Sequence, residues 1–192
     1  MLTKVGRVLL NMAFNPDAFP MPSPNRFYFT DKATIPGKDY NGNDLYFCVR
    51  ASSISMTVLS TAITATSNGV AFGSGNTPAT ENDYTIENQI LGLTASVTSD
   101  NYMTFNAETD SWDLNFQFTI NNPGETDVTI SEMCRFVSTA KNATKGASGS
   151  GNTSVLVERI VLDAPVTIPA GEASVINYTF SRPTVIVDPV VE

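Results

Sequence analysis

The sequence predicts an all-β protein: an antiparallel β-sandwich of jelly-roll or immunoglobulin-like type, with a short N-terminal helix and an extended proline-rich arm before it. Three observations predict it. Charged residues make up only 16% of the chain, against roughly a quarter in an average soluble domain, so Ser, Thr and Asn must supply the polar surface, which suits strands and turns. From residue 26 onward the apolar residues recur with a period of two. Asn-Gly, Asn-Pro-Gly and Pro-Ala-Gly signals punctuate those runs at short intervals. With 192 residues and a hydrophobic fraction of 42%, the chain suits one domain that buries roughly two-thirds of its unfolded surface.

Leu2, Val5, Val8, Leu9 and Met12 repeat at helical spacing, which predicts a helix over about residues 2–13, ended before Asn15-Pro16. Residues 15–25 hold four prolines in eleven positions. Such a stretch neither continues a helix nor sits inside a sheet, and it reads as an extended arm whose Phe19 and Met21 need a surface to cover. The organisation is therefore an arm region, 1–25, followed by a β domain, 26–192.

Strands are expected at 27–30, 45–50, 53–66, 70–73, 92–105, 113–120, 127–137, 155–162 and 173–180. The clearest is 113–120, where Leu114, Phe116, Phe118 and Ile120 alternate with Asp113, Asn115, Gln117 and Thr119, the pattern of a half-buried antiparallel strand. Ile176, Tyr178 and Phe180 form the apolar side of 173–180. Several other runs carry β-branched residues on both sides, as strands covered on two faces do. Reversals are expected at Asn41-Gly42 and Asn68-Gly69, both matching type I′ hairpins, at Asn122-Pro123-Gly124 and at Pro169-Ala170-Gly171. The Gly/Ser-rich run 145–154 reads as a loop between strands.

Composition closes more functions than it opens. The chain has no histidine and a formal charge of −8, so the usual general base, the commonest metal ligand and the imidazole triads are missing. Two cysteines, Cys48 and Cys134, rule out Cys₂His₂ and Cys₄ zinc sites and read as reduced core residues. The acidic balance argues against nucleic acid, and no run approaches the roughly 18 apolar residues of a membrane-spanning helix. No secretory signal is recognisable, so synthesis in a cytoplasm is expected. Charge is uneven: residues 1–50 carry six bases and four acids, and the rest five bases and fifteen acids. A +2 leading region on a −10 body is suited to docking on an acidic neighbour, including another copy. The loop GSGNTPATENDYTIE, residues 73–87, lacks the Lys-Ser/Thr of a P-loop and the spacing of an EF-hand. Glu81, Asn82 and Asp83 look like cation ligands, but a structural reading is preferred: Gly73 and Gly75 shape the loop and Asp83-Tyr84 anchors the next strand. The sequence nominates no catalytic, cofactor-binding or metal-binding residue.

The order of motifs GSGNTPATENDYTIENQI at 73–90, SWDLNFQFTI at 111–120, VTISEMCRF at 128–136 and SVLVERIVLDAPVTIPAGEASVINYTF at 154–180 resembles a family of small β-sandwich virion proteins of tailed bacteriophages. That family carries a Gly-x-Gly-x-Thr-Pro loop leading to Asp-Tyr. A Glu follows a β-branched run (Glu132), and an Arg precedes a strand (Arg159). Where its members often have a Gly soon after that Glu, this chain has Cys134. The resemblance spans roughly residues 68–182. It implies a non-enzymatic structural subunit of a virion, as capsid decoration, at the head–tail junction or in the tail, with other virion proteins and copies of itself as partners. Glu132 and Arg159 are then expected to pair across adjacent strands in a structural role. A receptor- or carbohydrate-binding module is the competing expectation, with Trp112, Tyr84 and Tyr102 as its stacking candidates.

Overall fold

A computed structural model of the chain describes residues 1, 3, 6, 27–28, 38–44, 46–49, 57–109, 111–142 and 152–183. Among the described residues eight strands run β1 (Phe27–Tyr28), β2 (Tyr46–Val49), β3 (Gly69–Gly73), β4 (Thr94–Asn106), β5 (Ser111–Asn121), β6 (Val128–Asn142), β7 (Asn152–Ile168) and β8 (Ala173–Pro183). All named pairings are antiparallel and make two sheets. In the first, β6 pairs with β7, with β3 and with β2, and β1 adds to β2. In the second, β5 lies between β4 and β8.

One hydrophobic cluster draws on both sheets. It holds Val70 and Phe72 of β3, Ile130 and Met133 of β6, Ile168 of β7, Phe118 and Ile120 of β5, and Ile176 and Tyr178 of β8. Phe72 meets Phe118 edge-on with ring centroids 6.1 Å apart, a contact worth about 0.5–1.5 kcal/mol beyond its buried area. The opposite face of the first sheet is covered too. Ala71, Cys134, Phe136 and Leu156 pack there with Ile86, and Tyr40, Leu59 and Ile63 close over them. This two-sided burial explains the apolar runs without clean alternation in β6 and β7. The second sheet has one wet face, and there the alternation predicted for 113–120 holds: Phe118 and Ile120 are fully buried and Gln117 is exposed.

Two irregularities in the β6–β7 ladder decide where charges point. Arg135 stands opposite Glu158 but Phe136 opposite Leu156, so Val157 is an extra residue. The bulge turns Leu156 and Glu158, two apart in sequence, to opposite faces. Its carbonyl, freed from the ladder, accepts the Thr3 backbone N–H at 3.0 Å. The Thr3 hydroxyl donates to Leu156 O at 2.6 Å, and Arg159 N–H donates to Met1 O at 3.1 Å. The described N-terminal residues thus run beside β7. Gly6 lies directly against the Val157 carbonyl, where a Cβ would collide. The helix expected over 2–13, apart from residues 3 and 6, the arm over 15–25 and residues 145–151 of the expected loop lie outside the described residues, while Asn152 to Ser154, expected as loop, already belong to β7.

Three expectations are corrected. Of the strand expected at 53–66, residues 57–66 hold only a single parallel bridge, Val58 to Val70, where Leu59 N–H donates to Val70 O at 2.7 Å and Val70 N–H to Thr57 O at 2.8 Å; the residues after it are held largely by side chains. Ser154 Oγ donates to Thr64 O at 2.6 Å, and Gln89 Nε2 to Thr61 O at 2.8 Å. Asn68-Gly69 is no hairpin turn: Gly69 already begins β3, and the reversal comes earlier, where Ser67 N–H donates to Thr64 O at 3.2 Å. The turn near Asn41-Gly42 is set back by one residue, since Gly42 N–H closes on Asp39 O at 2.8 Å. Tyr40 and Asn41 are its central residues, and Gly42 leaves it with a φ of 82° that favours glycine. The buried Asp39 fixes this turn by accepting from Asn41 and Asn43 N–H, each at 3.0 Å.

The Asn122 and Pro169 turns sit as expected and are tied together. Asn122 Nδ2 donates to Thr126 O at 2.8 Å and Ile168 O at 3.1 Å, while Gly171 N–H donates to Asn122 O at 2.9 Å.

Candidate functional site

The loop that joins β3 to β4 lies on the face of the first sheet turned away from the second. It is pinned by a carboxylate 57 residues downstream of Gly75, that of Glu132 on β6. Glu132 is fully buried, and its Oε1 accepts three backbone N–H groups: Gly75 at 3.1 Å, Glu87 at 3.0 Å and Asn88 at 3.1 Å. Its Oε2 accepts from Arg159 Nε at 2.8 Å. Arg159 stands opposite Cys134 on the neighbouring strand, while Glu132 stands opposite Val161, so the pair is diagonal on one face. The other guanidinium nitrogens reach the loop itself, Nη1 to Asp83 Oδ2 at 3.0 Å and Nη2 to Glu87 Oε2 at 3.3 Å. One cation therefore holds three carboxylates, two of them on the loop.

Each loop acid has local partners as well. Asp83 Oδ1 accepts from the Thr80 hydroxyl at 2.7 Å and Oδ2 from Thr80 N–H at 3.0 Å. Glu87 Oε1 accepts from the Thr77 hydroxyl at 2.6 Å. Burial pushes the Asp83 carboxyl up, but Thr80 and Arg159 outweigh it and leave the group below its ordinary 3.8. The Thr77 hydroxyl and N–H, then Arg159, hold Glu87 below 4.5. Both depressed values mean that the charged forms favour the folded state. Their contribution is complete above the ordinary values and is lost as pH falls through the lower folded ones. Unfolding free energy measured against pH is expected to be level above pH 4.5 and to decline below it. The Asp83→Asn, Glu87→Gln double variant should flatten part of that decline. An unchanged acid limb in the double variant would show that these carboxylates do not supply it.

The anchor explains Gly73 at the end of β3 and Gly75 in the loop. A Cβ at Gly73 would lie 2.5 Å from Glu132 Oε1 and 2.8 Å from Asn88 O, and one at Gly75 would lie 2.5 Å from Glu132 Oε1. Neither position has a positive φ, so glycine is needed here for space rather than for backbone conformation. Gly75→Ala is expected to push the carboxylate off its donors at a cost of about 1–3 kcal/mol, read as a lower unfolding midpoint and faster hydrogen exchange at Glu87 and Asn88.

A second charged group lies on the other face of the same strands, toward the shared core. Arg135 and Glu158 stand directly opposite each other, both buried, with Nη2 and Oε2 3.6 Å apart. The Tyr178 hydroxyl of the second sheet donates a short hydrogen bond to the same Oε2. Burial and the Glu158 carboxylate push the Tyr178 phenol well up, so it remains a donor. A small cavity is lined by these three with Val70, Met133, Cys134 and Ile160.

The structure brings Glu132 and Arg159 together, as the resemblance implies, and adds Asp83 and Glu87 to them. The interior group Arg135–Glu158–Tyr178 was missed from sequence. Its signal was present: charges embedded in the apolar runs SEMCRF and VLVERIV have no wet face to occupy if both faces are covered, and must be paired. Of the cation-ligand candidates, Asp83 faces the Arg159 guanidinium, and Glu81 and Asn82 sit beside it in the turn that opens at Thr80. Among the described residues no group of acids and cysteines is arranged to hold a metal ion.

The stacking candidates are dispersed. Tyr84 belongs to the loop over the first sheet, its ring against Gly42 and 5.8 Å from Lys38 Nζ. Tyr102 stands opposite Asn115, and Trp112 opposite Phe105, in the second sheet. Cys134 is a free, buried thiol, which burial pushes well up. The chain matches no protein-family model, no curated protein and no solved structure.

Proposed function

We propose that this chain is a non-enzymatic structural subunit of a tailed-bacteriophage virion, serving as capsid decoration, at the head–tail junction or in the tail. In this reading the two sheets are the layers of a β-sandwich of jelly-roll or immunoglobulin-like type. The chain is made in the bacterial host cytoplasm and assembles with other virion proteins and copies of itself. The observation that carries the reading is the meeting of three separate sequence pieces at Arg159: the loop 73–90, the strand around Glu132 and the strand around Arg159 itself. These are three of the four pieces on which the resemblance to phage virion proteins rests; the fourth, 111–120, is β5 of the second sheet. Their ionisable groups are used to fix a surface loop. A loop fixed in advance presents the same surface on every copy and loses little entropy when a neighbour docks.

The test is direct. Particles purified from infected cells should contain the chain at a fixed copy number by quantitative mass spectrometry. An electron-microscopy map of the intact virion should show the two sheets in symmetry-related density. A chain present in lysate but missing from washed particles would overturn the reading.

A further inference from the structure

The second sheet turns one face to solvent, and among the described side chains that face is almost free of charge. By register, Thr94, Thr104, Asn115, Gln117, Asn177 and Thr179 all lie on it. Thr94, Thr104, Gln117, Asn177 and Thr179 are exposed. Among its described side chains the single charge is Asp113, which accepts from Ser111 Oγ at 3.0 Å and Asn106 Nδ2 at 3.3 Å. The exposed acids stand at its two ends: Glu108 in the β4–β5 turn, and Glu125, Asp127 and Glu172 in the turns beyond Asn121. On a chain of charge −8, this is a neutral panel between acidic rims.

Its chemistry is self-complementary. Gln117 Nε2 donates to Asn177 Oδ1 at 3.0 Å, Thr179 Oγ1 to Asn115 Oδ1 at 2.7 Å and Asn115 Nδ2 to Thr104 Oγ1 at 3.3 Å. Amides and hydroxyls both donate and accept, so a panel of them can bond to its own copy; a panel of carboxylates cannot. Like-charged chains should also meet where the charge is absent. We propose that this face docks a second copy of the chain, sheet against sheet, with Gln117 near the axis because it lies at mid-length on the central strand. The proposal rests on the reading of the chain as an assembly subunit and names its self-contact.

The size fits a weak contact repeated many times. Three strands about 4.8 Å apart and about 36 Å long present roughly 500 Å² per copy. The pair then buries about 1,000 Å², at the lower limit of a specific interface. Association should tighten with added salt, which screens the acidic rims.

Sedimentation velocity of the full chain, from micromolar to millimolar concentration, tests this. The wild type is expected to associate reversibly. Gln117→Glu and Gln117→Lys should each weaken association about tenfold or more, because each sets like charges face to face, and an equimolar mixture of the two should restore it. Unchanged circular dichroism and thermal midpoints would exclude misfolding as the cause. A wild type that stays monomeric throughout, variants that associate like wild type, or a mixture that fails to recover would each overturn the proposal. So would a monomer that binds glycans through this face and loses them in Gln117→Glu. A chain found in purified particles whose association ignores residue 117 keeps the assembly reading and loses this face.

Discussion

Glu132→Ala is expected to destabilise the fold by about 3–5 kcal/mol, the usual cost of removing one partner of a buried ion pair. For a chain of this length the unfolding midpoint should fall by on the order of 10 °C. The size of the effect comes from the groups that the carboxylate leaves behind. Arg159 is buried and would lose its closest anion, while three backbone N–H groups at Gly75, Glu87 and Asn88 would lose their acceptor together. An unpaired donor costs about 1–3 kcal/mol where water cannot reach it. Arg159→Met should cost less. It leaves Glu132 bonded to its three amides, and it leaves Asp83 and Glu87 at the rim, where water and Thr80 or Thr77 can solvate them. Urea unfolding of the two single variants gives the order directly, and hydrogen exchange at residues 75, 87 and 88 locates the damage. A Glu132→Ala loss below about 1 kcal/mol, the range of an exposed pair, would show that the carboxylate does not hold the loop.

The legibility of each strand in the sequence depended on how that strand is solvated. Strand β5 has one wet face, so Asn115 and Gln117 alternate with Phe116 and Phe118, and both its existence and its inner side were legible. In β6 and β7 both faces are covered, so the alternation vanishes and orientation must come from elsewhere. The extra residue at Val157 then reverses the facing of Leu156 and Glu158, and no local pattern announces a bulge. The segment TVLSTAITAT, residues 57–66, has the β-branched composition of a strand but lies across a sheet face. Residues 57–60 bond to the backbone of Val70 and Gly92, and residues 61–65 to the side chains of Gln89, Ser138 and Ser154, a tertiary arrangement that outweighs propensity. Gly75 was legible as a loop former, whereas Gly73, read as one, ends β3. The reason for both glycines, a carboxylate arriving from another strand, was not legible. At the anchor, Glu132 and Arg159 were reached through resemblance alone, since nothing in their spacing requires that they meet.

The interior group gives the second large effect and separates stability from specificity. Glu158→Ala should cost about 3–5 kcal/mol, because Arg135 would face a core without its carboxylate and the Tyr178 hydroxyl would lose its acceptor. Arg135→Met alone should cost a similar amount by stranding the carboxylate. The double variant Arg135→Met, Glu158→Leu should restore wild-type stability or exceed it by about 1–4 kcal/mol, since an apolar pair of similar volume avoids desolvating two charges. Their neighbours Val70, Met133 and Ile160 are already apolar. On that outcome the charges contribute something other than stability. Their position suggests register: a one-residue slip of β7 against β6 would turn Glu158 away from Arg135 and Tyr178 and strand all three, whereas Leu and Met would tolerate either face. A double-mutant cycle in urea measures the coupling, expected at several kcal/mol. Amide spectra of the double variant should then show a second, minor set of β7 resonances that the wild type lacks. A double variant as unstable as either single one would mean that the pair is held for stability, and a single set of resonances would remove the register role.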